Sequence, residues 1–199
     1  MRIFLSASVP KVGRGNFYED SDPFLIQVAV RELVTSIIRY HTLIWGGHPS
    51  VTPMIWSVCQ DLGVNYSESV RLYQSIFFED DFPKENEKFD NVIYVDRVGD
   101  DMTASLAEMR TRMLTDQSFG AGVFIGGMDG IEQEYSLFRE HNADAKRIIL
   151  TAPGGAAQQL GSYLTKDDAI ISNTVDFAKL FDEIFPPPSP SPRRTFGMR

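Results

Sequence analysis

The chain has 199 residues, a formal net charge of −8 and a pI near 4.9, which suits one well-buried domain and argues against a general nucleic-acid binder with clustered Lys and Arg. Its one cysteine, Cys59, cannot form an internal disulfide. Neither a secretory signal pattern nor an apolar run of roughly 18 residues is present, so we expect a cytoplasmic protein that does not contact a membrane.

Short apolar runs that stop at small or polar residues predict the strands of a buried sheet. In chain order they are "RIFLSAS" (2–8), "TLIWGG" (42–47), "VRLYQS" (70–75), "NVIYV" (91–95), "GAGVFIGG" (120–127) and "KRIIL" (146–150). Helices are predicted between them, at about 23–40, 51–62, 101–115, 131–141 and directly after 155. Ser21 or Asp22 is a candidate N-cap for the first helix, and Gly63 ends the second. This alternation predicts an α/β fold, a Rossmann-like three-layer sandwich with a mainly parallel central sheet.

Two segments do not follow this alternation. Residues 76–90, "IFFEDDFPKENEKFD", are rich in charge and contain Pro83, which predicts a long exposed loop. A last helix at 174–185 is expected to dock on the sheet edge. Its apolar face is formed by Val175, Ala178, Phe181 and Phe185, and Phe177, Leu180 and Ile184 widen that face. The five prolines that follow within seven residues predict a disordered tail at 186–199, which leaves 1–185 as a single domain.

Four predicted strand ends carry small residues, in "SAS" (6–8), "GGHP" (46–49), "GGMDG" (126–130) and "PGGAA" (153–157). Ligands of parallel sheets bind beyond the carboxyl ends of the strands, where glycine lets main-chain amides approach an oxygen closely. One such loop more often marks only a tight turn, but several at one rim predict a phosphate-binding site. The candidate ligand-binding residues are Ser6, Ser8, Gly46, Gly47, His48, Gly126, Gly127, Met128, Gly130, Gly154 and Gly155. None of the loops fits GxxxxGK[ST] or places GxGxxG after the first strand, so neither a Walker-type NTPase nor a standard dinucleotide dehydrogenase is indicated.

The order "RTRM" (110–113), "GVFIGG" (122–127), "GMDGIEQE" (127–134) resembles the SLOG superfamily, which groups lonely-guy type phosphoribohydrolases with DprA-like and Smf-like Rossmannoid proteins. Lonely-guy enzymes carry "M-x-x-R-K-x-x-M", then a strand and "P-G-G-x-G-T-x-x-E", and they hydrolyse the N-glycosidic bond of cytokinin nucleotides. By this resemblance Arg110 or Arg112 takes the place of the catalytic arginine and Glu134 that of the glutamate. Ile125 replaces the proline, Ile131 replaces the threonine, and the glycine loop is one residue longer.

The layout of residues 2–165 resembles more closely the SLOG branches found beside TIR and Sir2 domains in bacterial conflict systems. Those domains are thought to bind nucleotide-derived signals such as cyclic ADP-ribose isomers. The resemblance also implies a homo-oligomer, and a TIR or other effector protein as a partner. "IFLSAS" by itself resembles the first strand of TIR domains, but Gln60 and Asp61 stand where a TIR-type NADase would need its glutamate.

The charged candidates have a structural alternative as well as a functional one. Arg110 and Arg112 are two positions apart and would not face the same way on a helix. The one that faces the cleft would hold a phosphate while Glu134 acts on the ribose or on a water molecule. The alternative for either arginine is a surface ion pair. Glu132 and Asp129 are better explained as first-turn acids that complement the helix dipole.

The uncharged candidates are open in the same way. His48 at the rim could contact a phosphate or a base, although a lone histidine is more often a packing or capping residue. Ser6 and Ser8 either bind phosphate or simply terminate the strand. Tyr73, Phe77 and Phe78 are more typical of a core than of a base-stacking surface. The three histidines are scattered and no HExxH or CxxC occurs, so neither a metal nor a cofactor is predicted.

Two hypotheses follow from the sequence. The first is a binding module that senses a nucleotide or an ADP-ribose-like or cyclic nucleotide signal. The second is a phosphoribohydrolase that cleaves the N-glycosidic bond of a nucleoside monophosphate. The longer glycine loop and the missing threonine favour the first hypothesis.

Overall fold

The computed structural model of the protein describes residues 1–13, 15–63 and 69–188. Its strands are β1 (Arg2–Ser8), β2 (Thr42–Gly46), β3 (Val70–Ser75), β4 (Val92–Val95), β5 (Ala121–Gly126), β6 (Lys146–Leu150) and β7 (Ile170–Ser172). They form one seven-stranded sheet in the order β4-β3-β2-β1-β5-β6-β7. All six neighbouring pairs in it are parallel.

Six α-helices lie within the described ranges, five of them between strands and the sixth after β7. They are α1 (Pro23–Ile37), α2 (Thr52–Leu62), α3 (Met102–Thr115), α4 (Gly130–His141), α5 (Gly155–Tyr163) and α6 (Phe177–Ile184). Short 3-10 helices span Ile76–Asp81 and Lys84–Lys88. Within residues 1–13, 15–63 and 69–188, no helix combines the length and the hydrophobicity that crossing a bilayer requires.

The sheet has a separate hydrophobic core on each face. Ile3 and Leu5 of β1 belong to the core beneath α1, α2 and α6, whereas Phe4 belongs to the core beneath α3, α4 and α5. Side chains of a strand alternate between the two faces, and a strand covered on both faces must therefore be apolar along its whole length. The predicted α/β fold, a Rossmann-like three-layer sandwich, is confirmed, and the sheet is parallel throughout.

The strand order reverses beside β1. From β1 the chain proceeds outward through β2, β3 and β4, and it then returns to β5 on the other side of β1 before proceeding to β6 and β7. Helices that follow neighbouring strands diverge at such a switch point and leave a crevice outside the carboxyl ends of those strands. The topology therefore places a crevice next to Ser8 and Gly126, where β1 and β5 end.

The structure corrects the expectation of an exposed loop at 76–90. The two 3-10 helices fill most of this segment, and Asn86 and Phe89 are buried. The Phe89 ring packs edge-on against Trp45 of β2 and Trp56 of α2. These apolar contacts hold the segment against the body of the protein. They could not be predicted from the sequence, because charged residues surround Phe89.

The C-terminal elements also differ from expectation. The short strand β7 was not predicted, and α6 packs on α1 instead of on the sheet edge. Phe177, Phe181 and Phe185 form its buried face, whereas Val175 and Ala178 of the predicted face are exposed. The helix begins after Asp176, which caps it through the Lys179 amide, so Val175 precedes the helix. Only residues 186–188 of the predicted tail are described.

Candidate functional site

A cavity of about 560 Å³ lies beyond the carboxyl ends of β1, β2, β3 and β5. This volume is within the range of small-molecule pockets. Nine of the predicted site residues line it, namely Ser6, Ser8, Gly46, Gly47, His48, Arg110, Met128, Gly130 and Glu134. The structure therefore brings the ends of β1, β2 and β5 together around one cavity.

Ser6, Glu134 and Arg110, which belong to three separate elements, form a chain of hydrogen bonds at the cavity wall. The Ser6 hydroxyl donates to Oε2 of Glu134 at 2.5 Å, and Nε of Arg110 donates to Oε1 of the same carboxylate at 3.1 Å. The side chains of Arg110 and Glu134 are only 14% and 16% exposed, which removes them from most of the screening that weakens surface ion pairs. Arg110 also donates from Nη1 to Oε1 of Gln133 at 2.7 Å.

Helix geometry explains why Arg110, and not Arg112, reaches the cavity. Met109 and Met113 belong to the buried face of α3, which packs on the sheet. Arg110 lies at the edge of that face. Two further residues turn the helix by about 200°, so Arg112 emerges on the opposite side. It lies 4.0 Å from Asp116 in an exposed ion pair and does not line the cavity.

The turn between β5 and α4 contributes Met128, Asp129 and Gly130 to the lining of the cavity. Gly126 and Gly127 have φ values of 60° and 76°, a left-handed conformation that favours glycine. Neither glycine lines the cavity itself, and the Gly127 amide is bonded to the Ser8 carbonyl. The amides of Met128, Asp129 and Gly130, which come next, have no acceptor among the described residues. They lie at the N-terminus of α4, where the helix dipole favours an anion.

The glycine pair after β6 supports this turn from outside the cavity. Gly154 and Gly155 do not line the cavity, contrary to the expectation that they contact the ligand. A Cβ atom at Gly155 would lie 2.9 Å from the Gly127 carbonyl oxygen, and the Ala156 amide donates to that oxygen. The tight approach of two main chains accounts for the glycine pair at this position.

His48 joins the β2 turn to the β1 turn and is uncharged at neutral pH. Its Nδ1 accepts from the Ser50 amide at 3.2 Å and lies 2.8 Å from the Ser50 hydroxyl, which accepts from the Val9 amide. Burial, with the positive charge of Lys11 nearby, lowers the pKa of His48 from 6.5 to about 4. The neutral ring can donate one hydrogen bond to a ligand but cannot supply a positive charge.

Several cavity residues were not predicted from the sequence. The additional polar lining includes Lys11, Gln74, Ser75 and Asp81, and apolar lining comes from Met102, Leu106 and Met109. Phe78, which had been considered a core residue, also lines the cavity, whereas Tyr73 is buried below it. None of these residues belongs to the glycine-rich strand ends from which the site was predicted. Their place in the site depends on how β3, α3 and the segment after β3 pack together.

The lining of the cavity carries charges of both signs. Asp129 belongs to the β5 turn, and Lys11 follows β1. Arg110 lies beside the β5 turn, where the free amides are, and its charge faces Glu134. Asp81 lines the cavity from the segment after β3, at the other side. Among the described residues, there is no group of three or more His, Cys, Asp or Glu side chains that could hold a metal ion.

No curated protein matches this sequence significantly. Among solved structures, the X-ray structure of TM1055, a structural genomics target, aligns with 92% of this chain and 98% of that chain, with a TM-score of 0.57 and 15% sequence identity. At that identity the likeness shows the fold alone. The sequence model of the SLOG cluster3 family matches residues 16–185, which confirms the predicted SLOG resemblance. The chain therefore belongs to the SLOG cluster3 family and has a Rossmann-like α/β fold.

Proposed function

We propose that the protein binds a nucleotide or a nucleotide-derived signal, such as an ADP-ribose-like or cyclic nucleotide, and acts as a sensor of that molecule. The observation that carries the proposal is the convergence of three strand-end turns and the Ser6–Glu134–Arg110 chain on one cavity. A phosphate-bearing ligand needs both hydrogen-bond donors and a local positive charge, because the protein as a whole carries a net charge of −8.

The β5 side of the cavity offers hydrogen-bond donors and one guanidinium group, with the carboxylates of Glu134 and Asp129 beside it. The amides of Met128, Asp129 and Gly130 have no acceptor within the described chain, and Nη2 of Arg110 lies close to Gly130. A phosphate at this turn would accept from the amides and lie next to the guanidinium. Lys11 adds a second cation to the cavity lining.

Ligand-induced thermal stabilisation tests the proposal. ADP-ribose, cyclic ADP-ribose, NAD and AMP would each be added to the purified protein, and we expect at least one to raise the melting temperature, since a ligand at 100 times its Kd stabilises by about 2.7 kcal/mol. Arg110→Met should weaken that ligand at least tenfold, whereas Arg112→Met, its matched control on the exposed side of α3, should bind it normally. Equal losses in both variants would contradict the assigned site.

A phosphoribohydrolase is the second candidate, and one observation favours it. The carboxylate of Glu134 lines the cavity at the position that the lonely-guy resemblance gives to the catalytic glutamate. Chromatography of nucleoside monophosphates incubated with the protein would detect free base. Base release that Glu134→Gln abolishes would establish the enzyme, and stabilisation without base release would favour the sensor.

We further propose that the protein is a homo-oligomer that passes the binding event to an effector such as a TIR protein in a conflict system. The support is its membership in a SLOG family and its likeness to the branches found beside TIR domains. Sedimentation velocity with and without the stabilising nucleotide tests the first part. A monomer under both conditions would contradict it.

A further inference from the structure

The side chain of Gln74 is an unexplained polar group in the cavity wall. It lies near the carboxyl end of β3, is 4% exposed, and its Oε1 has no hydrogen-bond partner among the described residues. A buried amide oxygen without a partner destabilises a fold, and such groups in native proteins call for an explanation. Gln74 also lines the cavity, where a rotation of its terminal amide would offer this oxygen to a bound ligand.

Gly47 provides the space that this amide occupies. A Cβ atom at Gly47 would lie 1.5 Å from Oε1 of Gln74, so any larger residue would displace the amide. The register of the sheet sets the two residues side by side, because Gly46 pairs with Tyr73. Two features of the sequence, a glycine at one strand end and a glutamine at the next, thus combine to hold an unpaired amide at the rim.

The surroundings of Gln74 suit the base of a nucleotide better than its phosphate. Among the described residues of β3 and of the segment after it, neither a lysine nor an arginine lines the cavity, whereas Phe78 of that segment offers an aromatic ring to a planar group. The β5 turn lies three strands away from β3, which corresponds to about 14 Å along the rim. A nucleotide with its phosphate at Met128–Gly130 would therefore extend its base past Ser6 and Gly46 toward Gln74.

We propose that Gln74 is a specificity-determining residue that hydrogen-bonds the edge of the ligand's nucleobase. The inference rests on the proposed nucleotide-binding function and deepens it. A side-chain amide offers a donor and an acceptor side by side, which complements the adjacent donor and acceptor on a heteroaromatic base. The ligand class is then a base-bearing nucleotide, and a sugar phosphate that lacks a base leaves Gln74 unpaired.

Binding of ribose 5-phosphate and of the four common nucleoside 5′-monophosphates to the full chain tests the inference by calorimetry. We expect one monophosphate to bind more tightly than ribose 5-phosphate, and Gln74→Met to weaken that monophosphate about tenfold while ribose 5-phosphate binds as before. Gln60→Met, on the exposed side of α2, should change neither affinity. Gly47→Ala, which displaces the same amide, should reproduce the pattern of Gln74→Met.

The melting temperature supplies a second readout. Gln74→Met removes an unpaired buried amide, so it should melt no lower than the wild type even though it binds the monophosphate more weakly. Equal weakening of ribose 5-phosphate and the monophosphate by Gln74→Met, or no weakening of either, would overturn the inference while the nucleotide site stands. Wild-type protein that binds ribose 5-phosphate as tightly as every monophosphate would do the same. If it binds none of them, the inference falls, and the proposed function falls with it when ADP-ribose, cyclic ADP-ribose and NAD do not bind either.

Discussion

Ser6, Glu134 and Arg110 come from β1, α4 and α3, and each of them is held by a different part of the fold. Ser6 lies on the same face of β1 as Phe4, the face that α4 covers, and Glu134 lies one helical turn after Gly130. Hydrogen bonds to both carboxylate oxygens fix the side chain of Glu134. A group in this position can orient a ligand without itself having to reorganise.

Gly130 leaves room for the Arg110 guanidinium, and an added methyl group would displace it. In Gly130→Ala the new Cβ atom would lie 2.7 Å from Nη2 of Arg110. Because the end of a long side chain can move, we expect a stability change within about 1 kcal/mol but nucleotide binding at least fivefold weaker. Gly120→Ala is a matched control, since its Cβ atom would lie 2.8 Å from Sδ of Met1, outside the cavity. Titration calorimetry and urea unfolding of both variants check the prediction, and equal affinities would contradict it.

His48 makes stability depend on pH. Its pKa of about 4 in the folded protein is below the ordinary value of 6.5, so below pH 6.5 the unfolded chain binds a proton that the folded chain does not bind. The contribution of His48 to the free energy of unfolding should therefore be fully present above about pH 6.5 and should decrease as the pH falls toward 4. At pH 5 we expect a loss of about 2 kcal/mol from this residue.

Urea unfolding of the wild type and of His48→Gln at pH 7.5 and pH 5 isolates that contribution. The variant should lose less stability than the wild type between the two pH values, because its side chain does not titrate. Parallel losses in the two proteins would show that the ring of His48 is freely protonated in the folded state.

At the scale of elements, α6 contributes to stability through one row of aromatic rings. Phe177, Phe181 and Phe185 join the core shared with α1, and Phe181 is fully buried. Phe181→Ala should destabilise the protein by about 3–5 kcal/mol. Val175→Ala, at a residue that is 63% exposed, should cost less than about 0.5 kcal/mol. Chemical denaturation distinguishes the two variants, and similar losses would contradict the observed face of α6.

The elements that the sequence predicted correctly are those with a strong local signal. β1, β2 and β5 are strands of five to seven residues with a buried apolar centre, and α1 begins where Asp22 caps it with Pro23 following. β7 was missed because three residues provide too short a run to distinguish a strand from a loop. On α6, the 3.6-residue period does not determine where the helix begins, and a start at Phe177 places Val175 outside the helix.

The site was predictable only as far as local signals extend. Glycine turns and the spacing of Arg110 and Glu134 are visible in the sequence, whereas their assignment to one cavity required the strand order. Gln74 was missed because it looks like an ordinary polar residue in a strand. Its position beside Gly47 depends on the register between β2 and β3, a long-range property that no local pattern encodes.

For the whole molecule, the predicted boundary near residue 185 can be tested by truncation. Phe185 is buried, and the three described residues after it are exposed. A chain that ends at residue 188 should unfold at the same urea concentration as the full chain, within error, because it keeps every core residue of the described fold. A chain that ends at residue 176 lacks all of α6 and should unfold at much lower urea. If the chain that ends at residue 188 unfolds at a lower urea concentration than the full chain, residues 189–199 contribute to stability.

The central position of β1 has a consequence during synthesis of the protein. Ile3, near the start of the chain, pairs with Ala121, so one edge of β1 is without its partner until the ribosome has made β5. At about 5–20 residues per second, that interval is roughly 6–24 s. During it the nascent chain exposes an apolar strand edge of the kind that chaperones shield. The order of translation therefore makes β5 the segment whose arrival covers that edge of β1, and the turn and helix made directly after it add Met128, Gly130 and Glu134 to the cavity.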